Sequence, residues 1–319
     1  MSVGAPGLLA DEEHVEHAAV HTPGQLLWRR LRADRAAMAA LGVVVALVLI
    51  ALAAPLIVAL VGAPGPNVQD THAVDAFGTP LGPSGDHLFG VDPLGRDVLA
   101  RTVYGARVSL LVGIAGTAIA VAIGVAVGLL AGYRRGWVDT LLSRTVDVVL
   151  SFPVLLLGIG IASACSLGDG CLAGTITPGL RTVILVIALV SWTSIARVVR
   201  GQVLSLRERE FVIAARSLGA SDRRIVVREI LPNLAAPIVV YSSLLLPQTI
   251  LFEAALSFLG VGVSPSTPSW GWMIADAAEN FDTQWWYMLF PGAALLLTVL
   301  AFNLLGDGLR DAFDPRTEQ

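Results

Sequence analysis

The sequence predicts an all-α integral membrane protein with six transmembrane helices, on three observations. The chain is 55% hydrophobic and only 14% charged, with a mean hydropathy of +0.73, far from the balance of a water-soluble domain. Runs of about 20 apolar residues, enough to cross a bilayer core as a helix, recur along it. Arginines gather in alternate connections, the asymmetry that orients membrane proteins with their basic flanks in the cytoplasm.

Composition also sets exclusions. Lysine is absent, so all 21 basic residues are arginines, and a phosphate-cradling P-loop, which needs its lysine, cannot be present. Two cysteines and five scattered histidines form no zinc-type ligand set, and there is no Gly-x-Ser-x-Gly nucleophile elbow. The chain is expected to be no enzyme, with no metal, no cofactor of its own and no nucleic acid partner.

Residues 1–25 mix Gly, Ala, Pro, His and acids without helical period, as in a disordered tail. Met38 to Val61 is free of charge, and Arg29, Arg30, Arg32 and Arg35 precede it, placing the N-terminus in the cytoplasm. Residues 62–107, broken by Pro64, Pro66, Pro80, Pro83 and Pro93, read as an outside loop. Within it, Asp92 to Tyr104 is either a short interfacial helix or a surface turn.

The second span runs from about Val108 to Tyr133, with Gly124, Gly128 and Gly132 on one helix face, a spacing that lets backbones approach. A third, from about Val146 to Ala164, should kink at Pro153. Asp147 at its start suits the first turn of a helix, where the macrodipole favours a carboxylate. Cys165 and Cys171 lie in a second outside loop. They are equally compatible with a small disulfide loop and with two reduced thiols.

A fourth span extends from Arg181 to near Val199, a fifth from Leu234 to about Leu251, and the last from about Trp286 to Leu305. The loop before the last carries Asp276, Glu279 and Asp282 with no arginine, and Trp270, Trp272, Trp285 and Trp286 suit a membrane interface. Both termini are therefore expected in the cytoplasm. The expected division is a disordered tail (1–28), a first span with its outside loop (29–107), a five-span membrane domain (108–309) with a cytoplasmic loop (200–233), and a short tail (310–319).

That loop is the most informative stretch. From Arg197 to Arg228 eight arginines stand against Glu208, Glu210 and Asp222. Phe211, Ala214, Ala215 and Leu218 form an apolar helical stripe, Gly219 suits a helix stop, Ser221 can cap a second helix, and Pro232 is expected to end it.

Here the chain resembles the permease subunits of bacterial ABC importers of the dipeptide, oligopeptide and nickel group, in the second-permease (C-type) position. The loop signature is carried by Ile213, Ala214, Ala215, Gly219, Leu231 and Pro232, with Ile213 in place of the usual glutamate and Glu229 where histidine is frequent. GVDPLGRDVLARTVYGARVSL (Gly90 to Leu110) and EAALSFLGVGVSPSTPSWG (Glu253 to Gly271) look like two further signatures.

The resemblance implies a type I importer permease fold in the bacterial inner membrane. Ala214, Ala215, Leu218, Gly219, Ala220, Ser221 and Asp222 would then couple it to an ATP-binding subunit. It further implies a second, similar permease, two ATP-binding subunits holding ATP and Mg, an extracytoplasmic binding protein, a surround of membrane lipid, and peptide or nickel as cargo. Glu253, near the outer end of the fifth apolar segment, is a candidate for the substrate path or an outer gate, against a plain interfacial carboxylate. The alternative function is an ion- or proton-coupled secondary transporter or channel, with Asp147 and Glu253 as carriers.

Overall fold

The computed structural model describes residues 23–75, 78–166 and 179–313. Among these, regular structure is helical, with only isolated bridges besides. The helices are α1 (Pro23–Ala33), α2 (Arg35–Leu52), α3 (Ala54–Val61), α4 (Val98–Tyr133), α5 (Trp137–Ser151), α6 (Val154–Ser166) and α7 (Leu180–Leu206). They continue with α8 (Glu210–Ser217), α9 (Asp222–Arg224), α10 (Leu231–Phe258), α11 (Trp270–Ala278) and α12 (Trp285–Phe313). Five helical stretches are long and apolar enough to span a membrane, or six if the bent pair α5 and α6 counts as one.

The bundle is organised on α4 and α7, which run side by side. A Cβ on Gly124 would lie 2.7 Å from the Trp192 carbonyl, and one on Gly128 2.7 Å from that of Ala196. Gly132 meets Val203 and the Arg200 carbonyl in the same way. The expected packing seam is present and belongs to this pair. α10 packs on both helices and on α12, and α2 closes the other side against α12 and α4. Outward-facing leucines such as Leu49, Leu56, Leu60, Leu296 and Leu300 remain exposed, the surface a membrane helix offers to lipid.

Several boundaries differ from expectation, each for a local reason. The second span does not begin at Val108: α4 is one helix of 36 residues from Val98, so the division at 107/108 falls inside it. Pro93 and Gly95 are the last breakers before it, and Asp97 caps it by accepting the Ala100 N–H at 2.8 Å. Arg101, within the stretch expected as loop, is fully buried. Its guanidinium donates to the carbonyls of Pro66 (3.0 Å) and Pro265 (3.3 Å) and to Asn67 Oδ1 (3.1 Å), which joins the loops at that end.

The first span is broken at Ala53, ahead of Pro55. The kink at Pro153 is sharper than a bend within one helix, since α5 and α6 meet at 91°. Asp147 is not in a first turn but well inside α5, which starts at Trp137. The tail drawn at 1–28 is helical from Pro23, and α12 runs on to Phe313 rather than giving way to a polar tail at 310. Residues 1–22, 167–178 and 314–319, with Cys171 among them, lie outside the described residues. Cys165 is buried near the end of α6.

Pro232 does not end a helix. Between α9 and α10 the chain passes through a π-helical segment, Ile225–Ile230, in which the Leu231 N–H reaches back to the Val226 carbonyl. Widening the turn accommodates a proline, which has no N–H to give and would crowd the carbonyl of Arg228. The result is one continuous helical stretch from Asp222 to Phe258.

The seam gives a direct test. Gly124→Ala and Gly128→Ala should each lose about 1–3 kcal/mol through overpacking, read as a lower thermal midpoint in detergent. Gly160→Ala, whose Cβ would have nothing within 4 Å, should show no loss.

Candidate functional site

The stretch singled out by its arginines forms a corner at one end of the bundle. α8 ends in a Schellman arrangement: the Gly219 N–H donates to the Arg216 carbonyl at 3.0 Å and the Ala220 N–H to the Ala215 carbonyl at 3.1 Å. Gly219 has φ +79°, a left-handed conformation that a side chain disfavours. Ser221 then occupies the capping position of α9, but its side chain makes no capping bond, contrary to expectation. The Ser221 carbonyl instead accepts from the Ile225 N–H at 3.0 Å.

The apolar stripe divides between two faces. Ala215 and Ala220 turn inward with Val212, Ile225 and Ile230 onto a core that includes Ile195, Val199 and Val203 of α7 and Leu234 of α10. Phe211, Ala214 and Leu218 face out, Leu218 with 88% of its surface exposed. Ile213 is half exposed beside them, and Asp222 is exposed. The corner is therefore rigid from beneath and apolar on its free side.

Three polar contacts from distant residues hold it against the end of α4. Tyr133 donates its hydroxyl to Asp222 Oδ1 at 2.6 Å. Arg207 donates Nη1 to the Gly132 carbonyl at 2.6 Å, filling an acceptor left open at a helix C-terminus. Arg135 pairs with Glu208 at 2.8 Å, though exposure of both makes this pair weak. The interior partners Val212, Ile225 and Ile230 were legible in principle as a second apolar stripe. Tyr133, Gly132 and Arg135 were not, being 73 to 89 residues from their partners.

Above the corner, between α4, α5 and α7, lies a cavity of about 350 Å³ lined by Arg144, Asp139, Asp147, Arg197 and Arg200. Arg200 grips Asp139 through two bonds of 2.6 and 3.0 Å, and Arg197 reaches Asp147 at 3.1 Å. Asp147 is thus an ion-pair partner between α5 and α7.

Glu253 is far from the corner and fully buried in α10. Ser257 donates to Oε1 at 2.8 Å and Ser109 of α4 to Oε2 at 3.2 Å, while Ser109 Oγ lies 3.5 Å from the Trp270 N–H of α11. The carboxylate ties three helices together and, in the isolated chain, meets no solvent. Nearby, burial raises the Asp276 carboxyl above its ordinary range, partly offset by the bond it accepts from the Tyr287 hydroxyl at 2.9 Å.

Long apolar helices around one closely packed pair, with a braced corner exposed at one end, define a multi-pass membrane protein. The chain belongs to the family described as binding-protein-dependent transport system inner membrane component, whose model matches residues 124–319. Residues 22–74 match the N-terminal TM domain of oligopeptide transport permease C.

It is 39% identical over 295 residues to the dipeptide transport system permease protein DppC of Alkalihalophilus pseudofirmus, covering 92% of this chain and 90% of that one. It is 41% identical over 297 residues to the glutathione transport system permease protein GsiD of Escherichia coli O6:K15:H31, covering 93% and 92%. The fold is shared with an inward-facing structure of the MetNI methionine ABC transporter, at a TM-score of 0.55 and 19% identity over 68% of this chain and 98% of that one. The protein is a permease subunit of an ABC importer in the inner membrane, with the type I fold.

Removing the polar ties should loosen the corner locally. In Tyr133→Phe and Arg207→Ala the amides of residues 210–224 should exchange about five- to tenfold faster, the scale of one lost hydrogen bond. Amides of the α4–α7 seam, followed by hydrogen-exchange mass spectrometry, should be unchanged.

Proposed function

We propose that the chain and a second permease enclose the path by which peptides, delivered by a binding protein, enter the cell, and that the Gly219 corner seats in an ATP-binding subunit. The observation that carries this is the free apolar side of the corner, Phe211, Ala214 and Leu218, on a support packed into the bundle core. An exposed apolar patch on a braced element is a surface for a protein partner.

The arginine distribution supports an orientation with the corner and both termini in the cytoplasm, where ATP and Mg would be held by the partner subunits. Peptide cargo is supported by the named substrates of the relatives, dipeptide and glutathione. ATP binding would draw two such subunits together, and each would carry a corner with it, turning the path from one side of the membrane to the other. A secondary transporter carried by Asp147 and Glu253 is set aside by family membership. Asp147 is an exposed ion-pair partner of Arg197 and Glu253 is bonded within the core.

The test is Gly219→Leu in the reconstituted importer. The variant should assemble and hydrolyse ATP, while peptide taken up per ATP falls by about two- to thirtyfold, the range of coupling energies such elements carry. Unchanged uptake per ATP would refute the docking role of the corner.

A further inference from the structure

We infer that α1 is a docking surface for anionic phospholipid. It is a short amphipathic helix set immediately before the first span and separated from it by a true break. Asp34 leaves the helical path and caps α2, accepting the Ala36 N–H at 2.8 Å and the Ala37 N–H at 3.2 Å. One side of α1 is occupied: Leu27 and Leu31 pack with Ala37, Leu309 and Ala312, and Arg30 Nη1 lies 3.5 Å from the Ala312 carbonyl at the end of α12.

The other side is open. Arg29 and Arg32 are exposed, as is Arg35 at the start of α2, and so are Leu26 (37%) and Trp28 (41%). The Arg32 guanidinium lies 4.7 Å from the centre of the Trp28 ring. No acidic residue occurs between Pro23 and Ala33, and Asp34, the carboxylate that follows in sequence, is engaged as a cap.

Charge and position select the occupant. Indole rings settle at the level of lipid headgroups, and arginines on an amphipathic helix beside a span attract an anionic membrane surface. Because α1 adjoins the first residues of α2 and the last turn of α12, its free side lies where the bilayer interface meets both spans. Phosphatidylglycerol-type headgroups fit there: the phosphate takes the arginines, Trp28 sits at headgroup level and the acyl region takes Leu26. Which leaflet this is follows from the orientation proposed above; the preference for anionic lipid does not depend on it.

The experiment uses the full chain in vesicles containing brominated phosphatidylglycerol or brominated phosphatidylcholine at equal mole fraction. The Trp28 signal is isolated as the difference between the chain and its Trp28→Phe variant. Brominated phosphatidylglycerol should quench Trp28 about fivefold more effectively, the scale of one arginine at an anionic surface. The preference should disappear in the Arg29→Gln, Arg32→Gln, Arg35→Gln triple variant.

On the unaltered chain, raising salt from about 0.1 M to about 1 M should collapse the preference, since exposed charges are screened over a few ångströms there. That arm needs only the Trp28→Phe reference and stands even if the triple variant fails to fold. Equal quenching by the two lipids, a preference that survives high salt, or one that survives in a folded triple variant would each overturn the inference.

Discussion

Where Gly124, Gly128 and Gly132 meet Trp192, Ala196 and Arg200, α4 comes so close to the carbonyls of α7 that no side chain fits between them. In lipid the hydrophobic effect does not hold helices together, because the surroundings are as apolar as the side chains. Close contact of matched surfaces has to supply much of the association, and glycine is the residue that permits it. The other long helices are placed against this pair: α10 on both members, α2 on α4, and α6 on α7. The branched side chains Ile195, Val199 and Val203, brought into register by the glycines, then continue into the core beneath the corner.

Charged and loop-bracing groups gather at the two ends, while the middle holds smaller polar contacts such as Thr117 Oγ1 with Thr249 Oγ1 at 2.8 Å. At one end Arg101 gathers three loop acceptors while wholly buried, an arrangement tolerable only because its donors are largely met. At the other, Gly132 and Tyr133 accept from or donate to both sides of the corner. Tyr133 and Gly132 are also the last residues of the seam helix. The corner is thus referred to the same helix that organises the bundle, and its position reports on that of α4.

Much of this was legible in the chain. The span count, the glycine face, the break at Pro153 and the stop at Gly219 each rest on local chemistry that a sequence displays. Readings failed where a residue's usual meaning was overridden by a partner far along the chain. Residues 62–107 read as one loop on their prolines, but the last of these is Pro93, and Arg101 beyond it lies in α4, buried against Pro66, Asn67 and Pro265. Pro232 marked a helix end, but a wider turn absorbed it.

Residues 23–28 looked like tail because their apolar side is satisfied by α12, nearly three hundred residues away. Within the corner, sequence periodicity joined Ala215 to Phe211 and Leu218. The core below selected Val212 and Ala215 instead, which decided which apolar residues remained outside.

The π-helical segment has a mechanical meaning. A corner followed by a loop can be displaced while the next span stays still, because the loop takes up the slack. Here the corner runs without interruption into α10, and about 23 residues of helix at 1.5 Å each separate Ile230 from Glu253, a rod of about 35 Å. On the other flank, Arg207, Glu208 and Arg209 join α7 to α8, and Arg207 ties that join to the end of α4. If the corner docks as proposed above, a push on it would reach the other end of the bundle as tilt or rotation of α10, with the bonds of Glu253 to Ser257 and Ser109 pinning that rod.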